Sequence, residues 1–234
     1  LWAMALPAFG QTPFASFDMA SEPVLNDPHD LAFGPDGRLY VADKFNNRVT
    51  VLDPKSLKVV ETIGEGALPG VHDISFGADG TAYTAVTGTH SIATFDMADE
   101  DPALSTHPGT FPRTEGVLAH SNGKLYVMAS GIGQLILIEN GQAVSGVQGL
   151  PGAHDVAEAL DGTIWVADTN RAQLVQFSPA LEVLTMLNDA KYGFVGPRYM
   201  DFDDFGHLIV ADQDAHRILK IDPISGDLLG VIGD

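Results

Sequence analysis

Residues 29–53 read HDLAFGPDGRLYVADKFNNRVTVLD, and this pattern of apolar alternation, turn and two further apolar runs returns four times without a gap. Within it Leu31 and Phe33 alternate with polar neighbours, Asp36-Gly37 makes a turn, and Leu39-Tyr40-Val41 and Val49-Thr50-Val51-Leu52 supply the β-branched and aromatic content of buried strands. The later copies begin at His72, Glu115, His154 and Arg198, spaced 43, 43, 39 and 44 residues (72−29, 115−72, 154−115, 198−154). A fourth apolar run, as at 59–63 and 228–232, completes each unit. Four antiparallel strands repeating at this period make a propeller blade, because one such sheet cannot bury its faces alone and must stack on its neighbours. The fold class is therefore all-β, a β-propeller with five recognisable four-stranded blades, and no amphipathic helix of useful length competes.

The segment ASFDMASEPVLNDPHD (15–30) resembles the outer strand and exit loop of the first unit, VVETIGEGALPGVHD (59–73). The economical reading is a six-bladed ring with an incomplete last blade, in which 15–20 pairs as an outer strand. Residues 15–234 form a single propeller domain. Residues 1–14 are either the remnant of a secretory signal, with a small-x-small pattern at Ala8-Phe9-Gly10, or a strand of the incomplete blade. An open ring would expose strand edges and favour self-association.

Composition narrows the functions. The 234 residues carry 31 acidic against 12 basic side chains, a formal charge of −19, which argues against nucleic acid as a partner. There is no cysteine, so disulfides, thiolate metal sites and cysteine nucleophiles are excluded, and any metal must take His, Asp, Glu or backbone oxygen. Nothing in the chain approaches a membrane span in length, and the apolar start points to a secreted or periplasmic protein.

The first position of the repeat carries the chemistry. It holds His29, His72, Glu115, His154 and Arg198. In a ring of repeats equivalent positions face one axis, so these five side chains are expected to meet at the channel mouth. Three imidazoles with an open position suit a catalytic zinc, and the set also suits iron, copper or manganese. Glu115 is then a further ligand or the base acting at the metal, and Arg198 anchors a substrate carboxylate or a developing anion. Asp30, Asp73 and Asp155 follow the three histidines. Strand alternation turns each away from its own histidine, leaving roles as a support for a neighbouring blade's imidazole, as oxygen donors to Ca²⁺, or as loop caps. A second column, Asp43, Asp168 and Asp212, reads as structural, bonding to amides of the following turn. His90, His107, His120, His207 and His216 fall outside the first column and are expected at exposed turns.

Val41-Ala42-Asp43-x-x-Asn46-x-Arg48-Val49, preceded by Pro28-His29-Asp30-Leu31, resembles the NHL repeat, and the resemblance spans 15–234. The same Pro-His-Asp-Leu and Tyr40-Val41-Ala42-Asp43 run is similar to the metal-bearing blades of peptidyl-α-hydroxyglycine α-amidating lyase. That resemblance implies zinc on His29, His72 and His154, calcium near Asp30, Asp73 and Asp155, and an arginine and a tyrosine beside the metal, for which the column offers Arg198 and Tyr199. The chain departs from that family in placing two histidines in adjacent blades and in lacking cysteine. Glu115-Gly116 resembles the opening of gluconolactonase-type propellers, and streptogramin-lyase-like propellers use channel His and Glu with a divalent metal. The expected function is a metal-dependent lyase or hydrolase acting on a small molecule or peptide. The alternative is a non-catalytic scaffold for a protein or glycan partner.

Overall fold

The computed structural model describes residues 14–99 and 102–233. It contains five four-stranded antiparallel sheets arranged as propeller blades. Blade 1 is β1 (Pro28–Phe33), β2 (Leu39–Asp43), β3 (Arg48–Leu52) and β4 (Val59–Ile63). Blade 2 is β5 (Val71–Phe76), β6 (Thr81–Val86), β7 (Ser91–Asp96) and the short β8 (Ser105–Thr106). Blade 3 is β9 (Thr114–Ala119), β10 (Leu125–Ala129), β11 (Gln134–Glu139) and β12 (Gln142–Gln148). Blade 4 is β13 (Ala153–Glu158), β14 (Ile164–Asp168), β15 (Gln173–Phe177) and β16 (Val183–Leu187). Blade 5 is β17 (Pro197–Phe202), β18 (Leu208–Asp212), β19 (Arg217–Ile221) and β20 (Leu228–Gly233). The first strand of each blade lines the axis. No strand of a sixth sheet occurs among the described residues, and none of their helices is long and apolar enough to cross a membrane.

Apolar side chains seal one blade to the next. Tyr40, Val49 and Val51 of blade 1 meet Ile74, Val86 and Phe95 of blade 2, and separate clusters fill the 2–3, 3–4 and 4–5 interfaces. Among the described residues no buried apolar cluster joins blade 5 to blade 1. That junction carries a hydrogen bond between His29 and Tyr199, and Phe14 lies against Gly230 of β20 with Lys220 above its ring. The outer strand expected at 15–20 is not formed: these residues are exposed and unpaired in any ladder. Alanine, serine and aspartate at 15, 16, 18 and 20 are poor strand formers, so the segment runs as a connector instead. Residues 1–13, the bulk of the expected signal remnant or extra strand, lie outside the described residues.

Asp43 and Asp212 are fully buried and accept amides from the loop before the blade, not from the turn after it. Asn26 N–H donates to Asp43 at 2.8 Å, and Val195 N–H to Asp212 at 3.1 Å, each donor 17 residues upstream (43−26, 212−195). The same offset from Asp168 lands on Pro151, which has no N–H, and Asp168 Oδ1 is left without a partner. The titration follows the bonding. Hydrogen bonds from Asn26, Asn46, Thr50 and Arg48 overcome burial and pull Asp43 below the usual carboxylate range, whereas burial pushes Asp168 above it. His120 also departs from its expected exposure. It is buried and donates from Nε2 to the Gly162 carbonyl at 3.0 Å, tying the lower turns of blades 3 and 4 together.

Replacing Pro151 by Ala should therefore stabilise the protein. A charge-assisted hydrogen bond of about 1.5–3 kcal/mol offsets the ~0.4–1 kcal/mol lost with the proline's restraint on the unfolded chain. Thermal unfolding at neutral pH would show it as a melting temperature raised by roughly 2–4 °C, and a lowered one would mean that the amide does not reach Asp168.

Candidate metal centre

Every inner strand is bulged at the same point. The pairing steps from Val71↔Val86 to Asp73↔Ala85, from Thr114↔Ala129 to Gly116↔Met128 and from Pro197↔Asp212 to Tyr199↔Ala211, leaving His72, Glu115 and Arg198 as the extra residues. In blades 1 and 4 the two-residue stretches His29-Asp30 and His154-Asp155 each face a single partner residue. A bulge re-aims side chains that regular alternation would send to opposite faces. The column residue and its successor can then both serve the channel, contrary to what alternation implies for Asp30, Asp73 and Asp155.

The structure brings His72, Glu115 and His154 together. One potential ligand atom of each lies within 4.8 Å of the others, and all three residues are buried. His72 Nε2 stands 3.7 Å from Glu115 Oε1, and His154 Nε2 stands 3.5 Å from Glu115 Oε2. The far sides of the rings fix which nitrogen holds the proton. His154 Nδ1 donates to the Gly152 carbonyl at 2.8 Å. Thr87 Oγ1 gives its hydrogen to the Thr114 carbonyl at 2.6 Å, so it accepts from His72 Nδ1 at 3.2 Å. Both Nε2 atoms therefore turn lone pairs towards a carboxylate. Burial, with His29 and Lys44 adding like charge, drives His72 far below the ordinary imidazole range to about 2, and burial lowers His154 as well. Neutral rings facing a carboxylate at these distances are acceptors facing acceptors, and His72 Nε2 and Glu115 Oε2 have no hydrogen-bond partner. The residues fit a metal: donors about 2.1 Å from a tetrahedral ion lie roughly 3.4 Å apart. Arg113 Nε, at 2.9 Å from Oε1, holds the carboxylate in place.

The other column members border this group. The His29 ring packs 4.1 Å from that of His72, yet its nitrogens point elsewhere, Nδ1 to Tyr199 Oη at 2.5 Å and Nε2 to Lys44 Nζ at 2.9 Å and Asp27 Oδ2 at 3.1 Å. Arg198 is close enough to depress the basicity of His29 and His154, and its buried Nε has no partner. Burial, reinforced by Asp155, Asp30 and Asp73, holds the Tyr199 phenol protonated.

Deeper in the channel Asp30, Asp73, Asp155 and Asp201 line a cavity of about 350 Å³. None of the first three supports a histidine. Each reaches the next blade's inner strand instead: Ile74 N–H donates to Asp30 at 3.4 Å, Val117 N–H to Asp73 at 2.6 Å and Met200 N–H to Asp155 at 2.6 Å. These amides sit two residues past the column, where the bulge disturbs the ladder. Blade 3 breaks the pattern with Gly116, where a Cβ would stand 2.7 Å from the His154 carbonyl oxygen. Lacking a carboxylate from blade 3, Val156 N–H turns to its own Asp155 at 2.7 Å. Burial pushes Asp30 up to about 6, and burial together with Asp30 raises Asp73 well above the usual range.

The sequence reading missed Thr87 and Thr169. Both stand 15 residues after a column histidine (87−72, 169−154), and a second alignment column at that offset would have found them.

Comparison with known proteins agrees with this architecture. Residues 25–52 match the NHL repeat. No curated protein matches the chain in sequence. Among solved structures, virginiamycin B lyase from Staphylococcus aureus superposes with a TM-score of 0.67 at 12% identity, covering 88% of this chain and 69% of that one. A catalytically inactive histidine-to-alanine variant of the same enzyme with quinupristin gives 0.68 at 11% identity, covering 88% and 70%. A protein of unknown function from Bacteroides caccae gives 0.60 at 13% identity, covering 84% and 72%. At such identities the likeness is one of fold.

The acid cluster yields a stability test. Because the folded-state pKa of Asp73 is raised, its contribution is complete below the unfolded value of 3.8 and is lost as pH rises through the folded value. Asp73→Asn keeps an acceptor for Val117 N–H and removes the charge. Its unfolding free energy should exceed that of wild type by a margin that widens from pH 4 to pH 8, reaching at least about 1 kcal/mol. A constant or reversed margin would show that the carboxyl ionises freely.

Proposed function

We propose that the protein is a metal-dependent lyase or hydrolase whose site lies at the channel mouth. The observation that carries this reading is the confrontation of acceptors, two imidazole lone pairs against the two oxygens of Glu115 in a buried setting. Zinc is the first candidate for a set of two nitrogens and a carboxylate, with iron, copper and manganese compatible. When bound there, the ion supplies Lewis acidity to a substrate oxygen. Arg113 keeps the Glu115 carboxylate aimed at the centre, and Glu115 either completes the donor set or, swung off it, accepts a proton. Tyr199 Oη, hydrogen-bonded to His29 Nδ1, stands at the mouth as a hydroxyl able to give or take a proton. Arg198, with an unsatisfied Nε, is suited to hold an anionic group of a small-molecule or peptide substrate. The fold shared with streptogramin B lyases, one of which is inactivated by loss of a histidine, supports lyase chemistry over hydrolysis. Ca²⁺ belongs to the proposal as the ion for the oxygens of Asp30, Asp73 and Asp155.

A binding-scaffold reading rests on a different feature. Leu160, Phe205 and Ile224 are 73%, 81% and 96% exposed, and they line one cleft on the face opposite the metal centre. A scaffold needs no ion, so metal content separates the two readings.

Purified protein reconstituted with zinc and dialysed should retain about one equivalent by elemental analysis. His72→Ala should lower retained metal by an order of magnitude or more without unfolding the blades, which carry their own cores. Glu115→Gln should weaken retention less, because it keeps one neutral oxygen. Wild type that holds no metal would leave the scaffold as the surviving reading.

A further inference from the structure

His29, His72 and His154 occupy one repeat position, yet their rings are turned differently. In His72 and His154, Nδ1 faces the side chain 15 residues ahead, Thr87 or Thr169, at 3.2 and 3.5 Å. In His29 it is Nε2 that faces this position, at 2.9 Å, and the residue there is Lys44.

Donor and acceptor chemistry explains the reversal. Thr87 Oγ1 donates to the Thr114 carbonyl at 2.6 Å and Thr169 Oγ1 to the Pro197 carbonyl at 2.8 Å. A hydroxyl so committed presents only lone pairs: behind His72 it accepts the Nδ1 hydrogen, and behind His154 it tolerates an Nδ1–H given to the Gly152 carbonyl at 2.8 Å. That leaves Nε2 bare and aimed at Glu115. Lys44 carries an ammonium with no lone pair, so it cannot accept an imidazole N–H as the threonine hydroxyls can. His29 Nε2 is held by both Lys44 Nζ at 2.9 Å and Asp27 Oδ2 at 3.1 Å, and Lys44 Nζ stands 3.5 Å from that same carboxylate oxygen. His29 Nδ1 is hydrogen-bonded to Tyr199 Oη. Both nitrogens are spent, and His29 is absent from the group of residues whose ligand atoms converge.

We propose that Lys44 is a positioning residue that diverts His29 from the metal to Tyr199, so that a site with three column histidines presents only His72, His154 and Glu115. This inference rests on the metal-binding reading above and goes beyond it by assigning the donor set and the residue that limits it. The diverted ring keeps one position at the ion open and gives Tyr199 a fixed hydrogen-bond partner.

The test is a mutant cycle read by Co²⁺ titration, with affinity and ligand-field absorption both recorded. Lys44→Thr restores the hydroxyl found behind the other two histidines. It should let the His29 ring reverse, tighten Co²⁺ binding roughly tenfold and change the absorption as a nitrogen donor is added. His29→Ala alone should leave affinity within about twofold of wild type, whereas His29→Ala added to Lys44→Thr should abolish the gain. Lys44→Met, which removes the charge and adds no hydroxyl, separates ring reversal from simple relief of repulsion and should not reproduce the spectral change. A large loss of Co²⁺ in His29→Ala alone, or an unchanged spectrum in folded Lys44→Thr, overturns the proposal while the metal centre stands. Absence of Co²⁺ binding in wild type and Lys44→Thr alike removes the metal centre and this inference together.

Discussion

The bulge at the head of each inner strand is the constraint on which the site depends. It occurs in all five blades at the position of His29, His72, Glu115, His154 and Arg198. Without it, alternation would send the column residue and its successor to opposite faces of the sheet. With it, histidines gather at the mouth while the aspartates beside them line the cavity below. The bulge also disturbs the backbone pairing two residues on, and the preceding blade's aspartate answers that need. One local irregularity thus sets the direction of the column side chains, fills the channel with carboxyls and ties blade 1 to 2, 2 to 3 and 4 to 5.

The channel is electrostatically expensive as a result. Carboxyls on neighbouring blades are brought together out of water, and their affinities for protons rise accordingly. Above them two neutral imidazoles face a carboxylate that has one oxygen unsatisfied. Buried polar atoms without partners are rare in folded proteins, and when several point at one spot they mark a place for a ligand. The contrast between Asp43 and Asp168 makes the same point with structural residues. Two buried aspartates at one repeat position differ in proton affinity because Asp43 gathers hydrogen bonds from Asn26, Asn46, Thr50 and Arg48 that outweigh burial, whereas burial dominates at Asp168, which meets a proline where Asn26 would stand.

Duplication accounts for the regularity, and single substitutions within the repeat account for the differences between blades. Gly116 replaces an aspartate where the His154 carbonyl passes too close for any side chain. Tyr199 stands at that same position in blade 5 and reaches His29 across the junction of blades 5 and 1. Lys44 replaces a threonine and turns a ring around. Each change is small in sequence and acts on a neighbour 15 to 170 residues away.

The propeller, its five blades and the column of chemistry-bearing residues were legible in the sequence by itself, because alternation, turn residues and repeat spacing are local properties that survive duplication. That equivalent positions face one axis also follows from the repeat. Which members of the column can share an ion was settled only by the tertiary structure. A ring's orientation depends on hydrogen-bond donors and acceptors from other strands, such as the Thr114 and Pro197 carbonyls that commit the threonine hydroxyls. The direction of Asp30, Asp73 and Asp155 depended on bulges that no residue pattern announces, and the strand expected at 15–20 required a pairing that the fold does not provide. Sequence periodicity specifies which face of a strand is buried. It does not specify which atom of a buried polar side chain meets which partner, because that is fixed by groups brought together only when the blades close on one another.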